Sequence, residues 1–227
     1  MELHFGGIAS SLPSRAGLSE SVSPSERIAE LSERLAAIAL IALILPGLLV
    51  IAAITSCLSR QFPFLLHERL GRHRQKLRVL KLKTMWRRRN PERAQAMSEP
   101  TDTVPSSQQP KLRSDPRITS RFAALCREYS VDEVPQLWNV AIGDMSFVGP
   151  RPLTAYELDT YYGTAAAEVL SVKPGLTGLW QIRGRSRLSY KKRRKLDLFL
   201  VRHRSARFHL SILLSTVKLV FGRVNAW

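Results

Sequence analysis

From residue 35 to residue 58 the chain reads LAAIALIALILPGLLVIAAITSCL, 24 positions without a charge. About 20 apolar residues at roughly 1.5 Å each cross a bilayer core, so the run predicts a membrane helix. It begins too late, lacks a short basic leader and is too long to be a cleavable signal peptide. Arg34 and Arg60 bracket it. Pro46-Gly47 falls near its middle, where proline removes a backbone donor and predicts a kink. Two arrangements follow: a bent span, or a segment that enters, turns at the break and leaves on the same face. Basic residues crowd the C-terminal side (Arg60, Arg69, Arg72, Arg74, Lys76, Arg78), while Arg27 and Arg34 before it meet Glu20, Glu26, Glu30 and Glu33. That asymmetry places the C-terminal bulk in the cytoplasm and leaves the N-terminus open.

Elsewhere the patterns are shorter. Residues 1–25 are rich in Ser, Gly and Pro without periodicity and read as a disordered tail, with 25–34 a polar helical lead-in. Residues 77–86 alternate apolar and basic, which suits a strand or a helix on a lipid surface. Residues 87–114 read as a mobile loop. Residues 120–129 predict a helix with Phe122, Leu125, Cys126 and Tyr129 on one face. In the next run Val134, Leu137, Trp138 and Ala141 fall at i, i+3, i+4 and i+7, a helix with one buried face. A further helix is expected over 153–163 and a short strand or hairpin over 173–185. A basic helix over 189–202 should turn Leu196, Phe199 and Leu200 inward. Residues 206–221 predict a last amphipathic helix, either core or lying in the membrane plane.

Charge narrows the partners. The 35 Lys and Arg outweigh 18 Asp and Glu, a net charge of +17, which favours anionic lipid, phosphorylated substrates or nucleic acid. With 7% aromatics and no zinc-finger or RNA-binding signature, nucleic acid is not expected as a partner. Cys57 and Cys126 fit no disulfide or zinc spacing.

Candidate chemistry concentrates in residues 130–152, where Asp132-Glu133 opens an apolar run that Gly149-Pro150-Arg151-Pro152 closes. Ser130 to Glu133 matches the S-x-x-E capping box, which would make the acids structural. The same helix start gathers unpaired N–H groups, which would lower the pKa of a carboxylate nucleophile and keep it ionised. One acid could then attack phosphorus while the other holds a cation, and magnesium suits one or two carboxylates plus substrate phosphates. Arg127 and the proline-fixed Arg151 suit bidentate phosphate binding.

Several ordered motifs resemble the bacterial sugar transferase family, the monotopic phosphoglycosyl transferases. They are His67-Glu68-Arg69-Leu70-Gly71-Arg72, Leu80-Lys81-Leu82-Lys83-Thr84-Met85, Asp115-Pro116-Arg117-Ile118-Thr119 and residues 130–140. Residues 143–152, 173–181, Gly184-Arg185, Leu196-Asp197 and Asn225-Ala226-Trp227 continue the series. The resemblance runs from about residue 34 to the end, apart from 87–114. It implies an α-rich α+β fold: a re-entrant helix-break-helix over 34–60, after a tail over 1–33, and a membrane-associated catalytic domain over 61–227 with amphipathic helices and short strands. It implies transfer of a sugar-1-phosphate from a UDP-sugar to undecaprenyl phosphate, with UMP released, at the start of glycan synthesis. Asp132 corresponds to the nucleophile that carries the phosphosugar and Glu133 to the acid associated with Mg2+, with Asp132 as a second candidate ligand. Arg127, Arg151, Lys83 and Arg185 correspond to phosphate-binding positions. Pro46 and Gly47 correspond to the helix break, which favours the hairpin. The implied setting is the cytoplasmic face of the bacterial inner membrane, in contact with its lipid and with other glycan-assembly enzymes. Leu45 replaces the family's serine before the proline, and Arg87 to Arg89 replace an acidic run. With no membrane helix before residue 35, the chain resembles the small, catalytic-domain-only members. A non-catalytic, lipid-binding adaptor is the competing expectation.

Overall fold

A computed structural model describes residues 23–86, 120–184 and 188–221. Of the expected tail over 1–33, residues 1–22 lie outside the described residues and 24–33 are helical; the loop over 87–114, the 115–119 motif, Arg185 and the terminal Asn-Ala-Trp also lie outside the described residues.

Helix α1 runs from Pro24 to Ser59. Ser23 and Glu26 form a capping box at its start, with Pro24 in the first turn, where its missing donor costs nothing. The helix continues through Pro46 without interruption, so the expected helix-break-helix is corrected. Proline removes one hydrogen bond, that to the Ala42 carbonyl, and long helical flanks on both sides hold the geometry across the loss.

The inward stripe of α1 meets the rest of the protein at two places. Near its start, Ala37 is fully buried against Leu77, Val79, Val140, Ala141 and Met145, with Ile41 beside it. There Arg34 Nε donates to the Ala141 carbonyl at 3.0 Å and Lys173 pairs with Glu30 at 3.0 Å. Near its end, Ala52 packs with Leu82 and Cys126, bordered by Phe64, Phe122 and Val131. From residue 30 to residue 52 a helix rises about 33 Å at ~1.5 Å per residue, so α1 lies along the protein. Its other faces expose Leu35, Ile38, Leu43, Leu45, Leu49, Val50, Ile54 and Leu58.

Strands β1 (Phe64–Leu70) and β2 (Lys76–Leu82) form an antiparallel hairpin. The alternation over 77–86 therefore becomes a strand. Its partner FLLHERL lacks a clean period, because its central Leu66, His67 and Glu68 are exposed. Helix α2 (Arg121–Glu128) is capped by the Ser120 hydroxyl, which accepts from the Ala123 N–H. It buries Ala123 and Cys126 but leaves Leu125 exposed, contrary to the expected face.

A six-residue 3-10 segment, Val131–Gln136, then leads into the short helix α3 (Leu137–Ala141). Leu137, Val140 and Ala141 are buried, whereas Trp138 is 56% exposed. The tighter 3-10 turn rotates the apolar face away from the one a continuous α-helix would present. Strand β3 (Ser146–Val148) pairs in parallel with β4 (Gly175–Thr177). Between them lie α4 (Ala155–Tyr161) and α5 (Ala166–Val169), which bury Leu158 and Val169 with Leu153 and Tyr162. Helix α6 (Leu179–Arg183) occupies part of the span expected to be extended.

Helices α7 (Tyr190–Arg202) and α8 (Ala206–Phe221) close the described chain. Leu200 and Ile212 are buried with Val148 and Leu179, but Phe199 is largely exposed. Helix α8 turns Leu210, Leu214 and Val217 outward, so it carries one core face and one exposed apolar face.

Candidate active site

Asp132 and Glu133 sit in the first turn of the 3-10 segment. The capping box expected there is absent. Ser130 adopts a left-handed conformation (φ 56°) and its side chain does not cap the segment. Its N–H instead bonds to the Arg127 carbonyl at 3.1 Å, so Ser130 ends α2 and turns the chain into the acids. A non-glycine residue at positive φ carries backbone strain of a kind that gathers at functional sites.

Glu133 reaches away from Ser130 into a cleft. Its Oε1 lies 3.0 Å from Lys81 Nζ on β2 and 3.7 Å from Arg151 Nη1. Arg151 follows β3 in the Gly-Pro-Arg-Pro turn, where the backbone bonds Gly149 N–H to Thr177 O (3.0 Å) and Gly175 N–H to Pro150 O (2.8 Å). Two glycines meet there: a Cβ on Gly149 would stand 2.7 Å from the Gly175 nitrogen. The turn is thus held against β4, and Arg151 lies over the Trp180 ring at 5.6 Å, with Arg193 over the same ring at 4.7 Å.

Burial and then the Glu133 charge raise the Asp132 carboxyl to about 6, against the opposing charges of Lys81 and Arg127. The expectation of a lowered pKa is therefore corrected. A single short 3-10 segment supplies little dipole, and loss of water outweighs it. A carboxylate with this pKa is still largely ionised at pH 7 and is poorly hydrated, which suits a nucleophile.

The arrangement brings together Asp132, Glu133, Arg127 and Arg151 from the sequence expectations. It does not bring in Lys83, whose Nζ donates to Gln61 beyond the end of α1. The lysine at the acids is Lys81, two residues earlier. Pro46 and Gly47 lie within α1.

Residues outside the expected set complete the surroundings. Asn139, 3% exposed, accepts from the Leu80 N–H (3.1 Å) and donates to the Arg78 carbonyl (2.8 Å), fixing β2 beside the acids. Arg69 lines the same cleft as Lys81, Glu133, Arg151 and Gln181. Asp197, fully buried on α7, accepts from the Tyr162 hydroxyl at 2.7 Å. Burial lifts Asp197 to about 7, against that hydrogen bond and the charges of Arg151 and Arg193. The strand alternation could have flagged Lys81 and Arg69. No local pattern marks Asn139.

The chain belongs to the bacterial sugar transferase family, whose sequence model matches residues 25–223. It is 36% identical over 192 residues to the UDP-galactose-lipid carrier transferase of Erwinia amylovora, covering 84% of this chain and 40% of that protein. It is 35% identical over 162 residues to the undecaprenyl-phosphate galactose phosphotransferase of Salmonella typhimurium, covering 71% and 34%. With the exopolysaccharide production protein ExoY of Rhizobium meliloti it shares 38% over 159 residues, 68% of each chain. The chain thus spans well under half the length of the first two relatives. Helix α1 is long and apolar enough to cross a membrane, and with the family it indicates a membrane location.

Proposed function

We propose that this protein transfers a sugar-1-phosphate from a UDP-sugar to undecaprenyl phosphate, the first step of an exopolysaccharide, capsule, O-antigen or glycoprotein glycan. The observation that carries the reading is the half-buried Asp132 beside a Glu133 held by Lys81 and Arg151.

A carboxylate oxygen of Asp132 attacks the sugar-bearing phosphorus of the donor. The bond from that phosphorus to the bridging oxygen breaks, and UMP leaves with the electron pair. The phosphosugar is then held as an acyl phosphate on Asp132. An oxygen of the acceptor phosphate attacks the same phosphorus, the bond to Asp132 breaks, and the carboxylate is restored. Two displacements replace one difficult transfer. Lys81, Arg127 and Arg151 offset the charge that builds on the phosphoryl oxygens.

The donor set fits magnesium when substrate phosphate oxygens complete it. Glu133 and Asp132 are the acids that would hold it, and among the described residues no cluster of three or more His, Cys, Asp or Glu surrounds them. Bound there, the ion would supply charge neutralisation to the diphosphate.

The packing of both ends of α1 on one body supports a monotopic placement, with the catalytic residues on the cytoplasmic face of the inner membrane. A cysteine placed near residue 20 should then react only from the cytoplasmic side; reaction from the other side would establish a span.

The test is UMP release from a panel of UDP-sugars, beginning with UDP-galactose, with undecaprenyl phosphate and magnesium. The wild type should release UMP, and Asp132→Asn should release none while still reaching the membrane. Equal release by both proteins would refute the assignment. Membrane binding without UMP release from any donor would favour a non-catalytic adaptor.

A further inference from the structure

The cleft around Glu133 holds more positive charge than its acids balance. In the hairpin Leu65 stands opposite Lys81, His67 opposite Val79 and Arg69 opposite Leu77, so His67, Arg69 and Lys81 share one face. Lys81 and Arg151 both lean on Glu133. Arg69 has no such partner. Among the described residues its guanidinium makes one long hydrogen bond, 3.4 Å from Nη1 to the Glu68 carbonyl, and no ion pair.

The acid whose charge reaches Arg69 is Glu157. That carboxylate already accepts from the Thr154 N–H and hydroxyl and from the Tyr190 hydroxyl. Burial and the charge of Arg151 both push the Arg69 guanidinium below its ordinary pKa, the signature of a cation kept from water beside another cation. Partial desolvation and then the charges of Arg69, Lys81 and Arg151 lower the His67 pKa, which disfavours a further cation on this face. Arg69, Lys81 and Arg151 therefore line the cleft around Glu133, and of these three cations only Arg69 makes no ion pair among the described residues.

A half-buried arginine without a carboxylate partner is costly unless an anion completes it. We infer that Arg69 is a further substrate-binding residue, which donates its guanidinium fork to a phosphate oxygen of the diphosphate donor. The inference rests on the proposed donor class. Lys81 and Arg151 are shared with Glu133, whereas Arg69 commits one long hydrogen bond to the Glu68 carbonyl and keeps its other donors for the ligand. An arginine suits this place because its planar fork makes two parallel bonds to phosphate, which lysine cannot.

The test is calorimetric titration of the full chain in detergent with inorganic pyrophosphate, and separately with UMP. Arg69→Met should weaken pyrophosphate binding about 10- to 100-fold, the scale of lost charge-assisted hydrogen bonds. Arg69→Lys, which keeps the charge, should fall between. Lys76→Met removes an exposed charge from the same hairpin and should change binding less than about twofold, as a distant screened charge does. The inference is overturned if Arg69→Met binds like the wild type, if Lys76→Met loses as much, or if the wild type does not bind pyrophosphate. Binding of pyrophosphate without UMP would uphold the Arg69 site and overturn the nucleotide-sugar reading instead.

Discussion

Replacing Asn139 by Ala should disconnect the hairpin from the acid-bearing segment. Asn139 is 3% exposed and grips β2 at two points, the Leu80 N–H at 3.1 Å and the Arg78 carbonyl at 2.8 Å. It acts as a one-residue third strand along the edge that β1 leaves unpaired. Removing it forfeits two hydrogen bonds worth about 1 kcal/mol each and strands two partly buried backbone groups at about 1–3 kcal/mol each. Partial hydration of the vacated edge returns some of this, so the expected loss is about 3 kcal/mol. In a chain of this size that lowers the unfolding midpoint by about 6–12 °C. Asn139→Asp should lose nearly as much, because an acceptor then faces the Arg78 carbonyl. Urea unfolding in detergent, followed by tryptophan emission, measures the change. UMP release measured in parallel should fall more than the folded fraction does, since Lys81 is the next residue along β2. The reasoning fails if Asn139→Ala loses under about 1 kcal/mol, the worth of a single net hydrogen bond, or if UMP release tracks the folded fraction alone.

Three further outcomes are expected. The kcat/KM for transfer should rise with pH through about 6 as Asp132 ionises, and Lys81→Met, which removes a cation favouring the ionised form, should move that limb upward in a pH–rate profile. Gly149→Ala should cost about 1–3 kcal/mol by overpacking, because its Cβ would stand 2.7 Å from both the Gly175 nitrogen and the Lys173 carbonyl oxygen; thermal unfolding reads the loss, and UMP release should fall as Arg151 shifts. Stability should decline as pH rises from about 4 to 8. The Asp197 carboxyl loses its proton near 3.8 when unfolded but near about 7 when folded, so in that window the folded chain binds more protons. Asp197→Asn cannot titrate and should flatten the decline in unfolding measured across pH.

The parts of the fold that the sequence disclosed are those with a long, unbroken period. The uncharged run over 35–58 and the amphipathic run over 206–221 became α1 and α8 because burial along one stripe decides their structure over several turns. Short elements obeyed distant partners instead. Ser130 to Glu133 carries the letters of a capping box, yet Glu133 turns to Lys81, 52 residues away, and Arg151. Nothing within four residues distinguishes the two outcomes; two cations, Lys81 on β2 and Arg151 in the turn after β3, do. Lys81 and Lys83 share the same parity in the alternating run, and only the end of β2 at Leu82 separates them. Past that point Lys83 leaves the strand face for Gln61. Trp138 fits a helical stripe but is exposed, since the 3-10 turn through Pro135 changes the phase of the helix that follows. The acids and Arg151 were visible as residue types; the closure of Glu133, Lys81 and Arg151 into one cleft depends on strand register, which one sequence does not display.

The packing of α1 bears directly on the proposed reaction. Joining a water-soluble donor to a lipid-held phosphate requires the nucleophile at a fixed height relative to the lipid, because misplacement by about 1 Å can cost two orders of magnitude in rate. A catalytic unit hung from a flexible tether would not meet that requirement. Here Ala37 is fully buried against Val140 and Ala141, and Arg34 bonds the Ala141 carbonyl at the end of α3. Helix α3 continues directly from the segment that bears Asp132. At its other end α1 packs Ala52 against Cys126 of α2, with Val131, the neighbour of Asp132, alongside. The apolar helix therefore packs beside the Asp132 segment at both of its contacts. Small residues at both contacts, Ala37 and Ala52, let the backbones approach closely. Trp138 and Ile142 are exposed one turn apart on that side of the protein, next to the buried Ala141 that α1 covers, and tryptophan is favoured where lipid meets water. On the proposed reading α1 would thus serve as a wall of the active site, and a bulkier residue at position 37 would shift the segment that bears Asp132.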